Sequence, residues 1–116
     1  MALLNHTKSG KLADEYIIYR RILGKAKGLM FSGKLKDKAL VFEFFPPRKV
    51  SLHMFFVFFP IDVLFVDDKN EVVDIIQNFK PFTFYKGKKK CMFVIELPAG
   101  TIKKTKTKIR DKVSFK

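Results

Sequence analysis

Apolar residues fall along this chain in short runs, each closed off by charged or turn-forming residues. Few of the runs keep the spacing of a long amphipathic helix. Glu15–Leu23 (EYIIYRRIL) is β-branched and aromatic enough to open a strand. Ala39–Phe45 (ALVFEFF) predicts another, closed by Pro46 and Pro47 because proline lacks the donor a ladder needs. Between them, Gly24–Lys38 carries two interior glycines, so any helix there is short. After Val50–Phe59 and Pro60, Asp62–Val66 (DVLFV) and Glu71–Ile76 (EVVDII) flank polar turn-formers. This predicts a β-hairpin with Asp68 to Asn70 at its turn. Phe79–Lys90 reads as a loop or irregular edge strand, and Cys91–Leu97 (CMFVIEL) as a core strand ended by Pro98 and Gly100. Thr101–Ile109 allows one or two helical turns, and Lys112–Phe115 a last short strand.

The pattern predicts a β-rich α+β fold: one compact, barrel-like domain of short, mostly antiparallel strands with one or two short helices. Residues 1–15 mix polar and small residues without a period and read as a loose N-terminal arm, leaving 16–116 as the globular domain. A length of 116 residues suits a single domain. Folding at that size buries roughly 65% of the surface the unfolded chain exposes, enough for a core without staples.

The stretch His53–Asp68 (HMFFVFFPIDVLFVDD) is the most apolar of the chain. Its run from Met54 to Ile61 is too short to span a bilayer, which takes about 20 apolar residues. With no signal-like N-terminus and a lone cysteine, Cys91, the expected setting is cytoplasmic. Asp62 is the anomaly within the stretch. A buried carboxylate costs several kcal/mol unless it is paired or hydrogen-bonded. One reading has Asp62 accepting backbone N–H bonds beside Pro60, pinning the start of a strand. The other makes it the polar group of a small pocket with His53, Met54 and Glu96.

Charge adds a second candidate. The net charge is +13, built from 20 Lys and 4 Arg against 11 acidic residues. Lys86–Lys90 contributes four positive charges and Lys103–Lys116 a further net six, leaving +3 for the rest. If they converge, Lys86, Lys88, Lys89, Lys90, Lys103, Lys104, Lys106 and Lys108 form a basic patch for a weakly bound polyanion. Phe79, Phe82, Phe84 and Tyr85 stand nearby as stacking residues, although no specific nucleic-acid motif is present. An excess of Lys and Phe (14 residues) is also what coding bias produces, so the charge by itself assigns no function.

Other chemistries find no pattern. Gly28–Leu35 (GLMFSGKL) fits a phosphate-binding loop up to its last position, where Leu35 stands in place of the Ser or Thr that holds magnesium. Two histidines and one thiol make no metal-ligand spacing, and no nucleophile constellation appears, so no cofactor, metal or catalytic residue is assigned. A binding or accessory module therefore stands ahead of a small hydrolase-like enzyme using Asp62 and Glu96.

Four segments, Lys27–Met30 (KGLM), Leu40–Phe44 (LVFEF), His53–Ile75 and Val94–Thr101 (VIELPAGT), resemble in order and spacing domain of unknown function family 192 of archaea and bacteria. Most specific are Met54, eight residues before Asp62 of Pro-x-Asp, and Glu-Leu-x-Ala-Gly from Glu96 to Gly100. The resemblance spans about Leu23 to Val113. It implies a compact β-rich domain with short helices after Gly24 and Gly100, and no established activity. Many relatives have an aromatic residue in place of His53, Lys-Asn in place of Phe55 and Phe56, and Gly in place of Arg110. Numerous bacterial relatives also carry export signals.

Overall fold

In the computed structural model, residues 2–19, 38–53 and 59–115 are described. Their frame is a five-stranded sheet in the order β3-β4-β9-β6-β7. These strands are β3 (Glu15–Tyr19), β4 (Lys38–Lys49), β9 (Lys90–Pro98), β6 (Ile61–Val66) and β7 (Val72–Phe79). Only β3 and β4 pair in parallel; β4–β9, β9–β6 and β6–β7 are antiparallel. A three-stranded sheet, β10-β1-β2, joins β1 (Leu3–Asn5), β2 (Gly10–Ala13) and β10 (Val113–Phe115). A two-stranded ribbon pairs β5 (Leu52–His53) with β8 (Phe84–Tyr85), and the single helix among the described residues is α1 (Thr101–Thr105). The fold is β-rich, as expected, but its sheets do not close into a barrel: β3 and β7 are the two edges of the five-stranded sheet among the described residues.

Side chains of a strand alternate between faces, so the central sheet feeds two cores. One face carries Leu40, Phe42, Val63, Phe65 and Val94, joined by Phe44, Val50, Leu52, Ile61, Phe79 and Cys91. The other carries Ala39, Val41, Leu64, Val66, Val72, Ile95 and Leu97. That second face is covered by Leu3, Leu12, Ala13 and Val113 of the small sheet and by Ile102 of α1. Every residue of β6 is buried, which explains why its sequence is apolar throughout except for Asp62, rather than alternating.

The β6–β7 hairpin forms as expected. The carboxylate of Asp67 accepts the N–H groups of Lys69 and Glu71, and Asn70 takes a positive φ of 63°. Two expectations are corrected. Residues 1–15 are not a loose arm: β1 and β2 pair with each other and β1 with β10, and Leu3 and Leu12 sit in the second core. Strands this short show no period of their own; their order comes from pairing with each other and, for β1, with β10 at the far end of the chain. Nor do Pro46 and Pro47 end β4. Its register against β9 shifts between Glu43 and Arg48, and pairing resumes with Arg48 opposite Cys91 and Lys49 opposite Lys90. The prolines fall in this irregularity, where no ladder donor is needed. The short helix expected after Gly24 and the Gly28–Leu35 loop lie outside the described residues.

Candidate functional site

Asp62 is 1% exposed, and its carboxylate is fully engaged. Oδ1 accepts the N–H of Asn78 at 2.9 Å. Oδ2 accepts those of Gly100 at 3.1 Å and Ile102 at 2.9 Å. The partners are distant elements rather than the neighbours of Pro60. Asn78 is a left-handed residue of β7 (φ 54°), and Gly100 and Ile102 form the start of α1. Gly100 itself has φ 94°, a conformation that glycine alone takes without strain. Asp62 therefore knots β6, β7 and α1 together.

Glu96 presents the opposite case. It is 1% exposed, and its Oε2 has no hydrogen-bond partner. Burial pushes its carboxyl well above the ordinary value of 4.5. In the β6–β9 register Asp62 stands opposite Leu97, and Val63 opposite Glu96. Directly opposed residues share a face, so Asp62 faces the second core with Leu97, and Glu96 faces the first with Val63. The two carboxylates lie on opposite sides of one sheet, and the acidic pocket in which they act together is not formed. Of its other expected members, His53 pairs with Phe84 in the ribbon, and Met54 lies outside the described residues.

Sequence reasoning missed two polar groups. On the first face, the Tyr85 hydroxyl donates to Asp74 Oδ2, and the Tyr85 ring packs on Phe65 with centroids 5.6 Å apart. Burial and then the Asp74 bond raise the Tyr85 hydroxyl to about 12; burial and then the Asp74 charge raise the Cys91 thiol to about 12. On the second face, Asn5 Nδ2 donates to Thr107 Oγ1 at 2.9 Å and to Asp111 Oδ2 at 3.0 Å. Lys8 Nζ meets both Asp111 oxygens, and the Lys108 N–H donates to Oδ2. Burial by itself would raise the Asp111 carboxyl, but the bonds from Asn5, Lys8 and Lys108 hold it below its ordinary 3.8. The first group joins residues 11 apart and the second brings Asn5 and Lys8 to residues more than 100 positions on, and no local motif announces either. Among the described residues no group of three or more His, Cys, Asp or Glu is placed to hold a metal, and no helix is long and apolar enough to cross a membrane.

The basic residues are all exposed, but they do not form one patch. Lys90 opens β9, whereas Lys103 and Lys104 lie on α1, past the other end of β9. Nine strand residues separate those ends by about 26 Å. The loop that carries Lys86 sits against the first core through Tyr85, whereas α1 packs into the second through Ile102. Lys106 caps α1 with φ 58°, and Lys108 leads back across the second face to Asp111. What the tertiary structure does set beside Lys86–Lys90 is the far end of β4. Lys49 lies directly opposite Lys90, and Arg48 opposite Cys91. The Gly87 N–H donates to Ser51 Oγ at 3.0 Å. A Cβ at Gly87 would come within 2.4 Å of the Val50 carbonyl oxygen, so only glycine lets the loop lie this close.

The described fold and site thus define a small β-rich domain built on a sheet covered on both faces, tied by buried polar groups and charged at one end. Residues 5–115 match domain of unknown function family 192 (DUF192, "Uncharacterized ACR"), and the chain belongs to this family. It is 32% identical to a UPF0127 protein of Thermococcus sibiricus, over 97% of this chain and 73% of that one. To a UPF0127 protein of Pyrococcus abyssi it is 30% identical, over 97% and 96%. Its fold is similar to the crystal structure of a protein of unknown function from Novosphingobium aromaticivorans. The TM-score is 0.82 at 24% identity, covering 98% of this chain and 82% of that one. The family is uncharacterised and brings no activity with it.

Proposed function

We propose that the protein is a small non-enzymatic binding module that contacts an anionic partner through its basic end, in a cytoplasmic setting. The observation that carries this reading is the cross-strand juxtaposition of Lys49 and Lys90. Like charges directly opposed in an antiparallel pair repel, and an anion relieves them. Arg48, Lys86, Lys88 and Lys89 flank the pair, and among the described residues no ion pair engages Lys86, Lys88, Lys89 or Lys90. Lys103, Lys104, Lys106 and Lys108 fall outside this contact. A carboxylate fully used in holding the fold, as Asp62 is, fits a module better than a catalyst.

Retention on heparin across a salt series tests the reading. Binding should fall steeply with salt, because the energy comes from counterion release. Replacing Lys88, Lys89 and Lys90 together by Gln should weaken retention and reduce the salt slope by about 2–3. The same change at Lys103 and Lys104 should matter much less. No retention at low salt would refute the proposal.

A further inference from the structure

We infer that the basic end is a docking surface for single-stranded nucleic acid, an inference that rests on the anionic-partner reading and names the partner. Charge alone suits any polyanion. The aromatic residues beside it narrow the choice. Phe45, Phe82 and Phe84 are 75%, 60% and 62% exposed, the three most exposed large apolar side chains of the described residues. All three lie in or next to the segments that carry the six cations Arg48, Lys49, Lys86, Lys88, Lys89 and Lys90. Of the aromatic residues singled out in the sequence, Phe79 is buried in the first core, and Tyr85 packs on Phe65 and bonds Asp74.

The arrangement along the β8 segment matters most. Tyr85 turns into the core, and its neighbours Phe84 and Lys86 are exposed. One exposed ring, Phe84, and one exposed cation, Lys86, thus flank the inward-facing Tyr85 at the end of β8. A single strand offers the matching pair, flat base and charged phosphate. In a duplex those base faces are stacked away. Stacking tolerates any base, and Lys contacts phosphate as a point charge, so the surface reads charge and ring without reading sequence. It is also held in place before binding. The Gly87 bond to Ser51 fixes the loop against β4, and Lys88 Nζ sits 5.5 Å from the Tyr85 ring centroid.

The chain has no Trp, so Phe84→Trp supplies a unique fluorophore on the surface. With the full chain at low salt, titration with a 12-nucleotide oligouridylate should quench that fluorescence. Phe84→Ala should weaken oligonucleotide binding about tenfold, measured by anisotropy, and leave heparin affinity within twofold. Thermal melts that overlay the wild type would show that both variants keep the fold. Oligonucleotide affinity unchanged in Phe84→Ala, or no quenching in Phe84→Trp, with heparin still bound, would overturn the nucleic-acid inference and leave the anionic-partner reading standing. A blue-shift on vesicles containing anionic lipid, with tighter binding to them than to the oligonucleotide, would overturn it in favour of a membrane surface. Failure to bind oligonucleotide, heparin and vesicles alike would overturn both.

Discussion

Two buried carboxylates in this domain have opposite consequences, and the difference lies in their partners. Asp62 satisfies three backbone N–H groups that would otherwise be orphaned inside the protein. Asp62→Ala should lower stability by about 3 kcal/mol, since the donors lose their acceptor while staying buried. Asp62→Asn should rescue it only in part, because the amide oxygen can still accept the Gly100 and Ile102 N–H groups while the amide NH2 turns a donor toward the Asn78 N–H. Chemical melts of the two variants check this; a curve overlaying the wild type would remove Asp62 from the structural account. The sequence flagged Asp62 correctly as a residue in a demanding place. It pointed to local partners, and the true ones are 16, 38 and 40 residues away.

At the scale of elements, the turn into β10 carries a visible strain. Arg110 has φ 82°, in the left-handed region where a Cβ is unfavourable. Its N–H nevertheless donates to the Val72 carbonyl at 2.8 Å, and Asp111 beside it is fixed by Asn5 and Lys8. Glycine takes this conformation without strain. Arg110→Gly should therefore raise stability by about 0.5–1 kcal/mol, read as a shift of the urea midpoint at unchanged slope. Elements whose signal is local were legible: the β6–β7 hairpin from its polar turn, β9 from its continuous apolar run, α1 from the residues after Gly100. Elements held from a distance were not. β1 and β2 are too short to show a period, and β4 resumes beyond two prolines because β9 continues to offer partners there.

For the molecule as a whole, stability should be greatest in mildly acidic solution. Below pH 4.5 the Glu96 carboxyl is protonated in both folded and unfolded chains. Above it the unfolded chain releases a proton that the folded chain keeps, so stability falls as pH rises toward the raised folded value. Asp111 acts in the other direction. Its depressed value contributes stability that is present above 3.8 and lost as pH falls through the folded value. Urea midpoints across pH 3–8 should show both slopes, and Glu96→Gln should be more stable than the wild type at pH 8 and lose the decline above pH 4.5. A wild-type profile that rises from pH 5 to 8 would contradict the assignment of Glu96. Cys91 reports on the same cooperative unit. Buried, and with its thiol raised to about 12, it should react with a thiol reagent only as fast as the domain opens, and rapid labelling without denaturant would contradict its place in the core.

The sequence by itself determined the class of this protein: a β-rich single-domain pattern, the hairpin, the core strand, the anomaly at Asp62 and the family to which it belongs. These are written in short-range alternation, turn chemistry and a few fixed spacings, which survive in a linear string. Only the tertiary structure decided which residues act together. A one-residue offset between β6 and β9 sends Asp62 and Glu96 to opposite faces and dissolves the pocket that proximity in composition suggested. The length of β9 separates two lysine clusters that looked additive, and the resumed pairing of β4 puts Arg48 and Lys49 beside one of them. Face and distance depend on strand register and order, and those are set by packing between segments far apart in the chain.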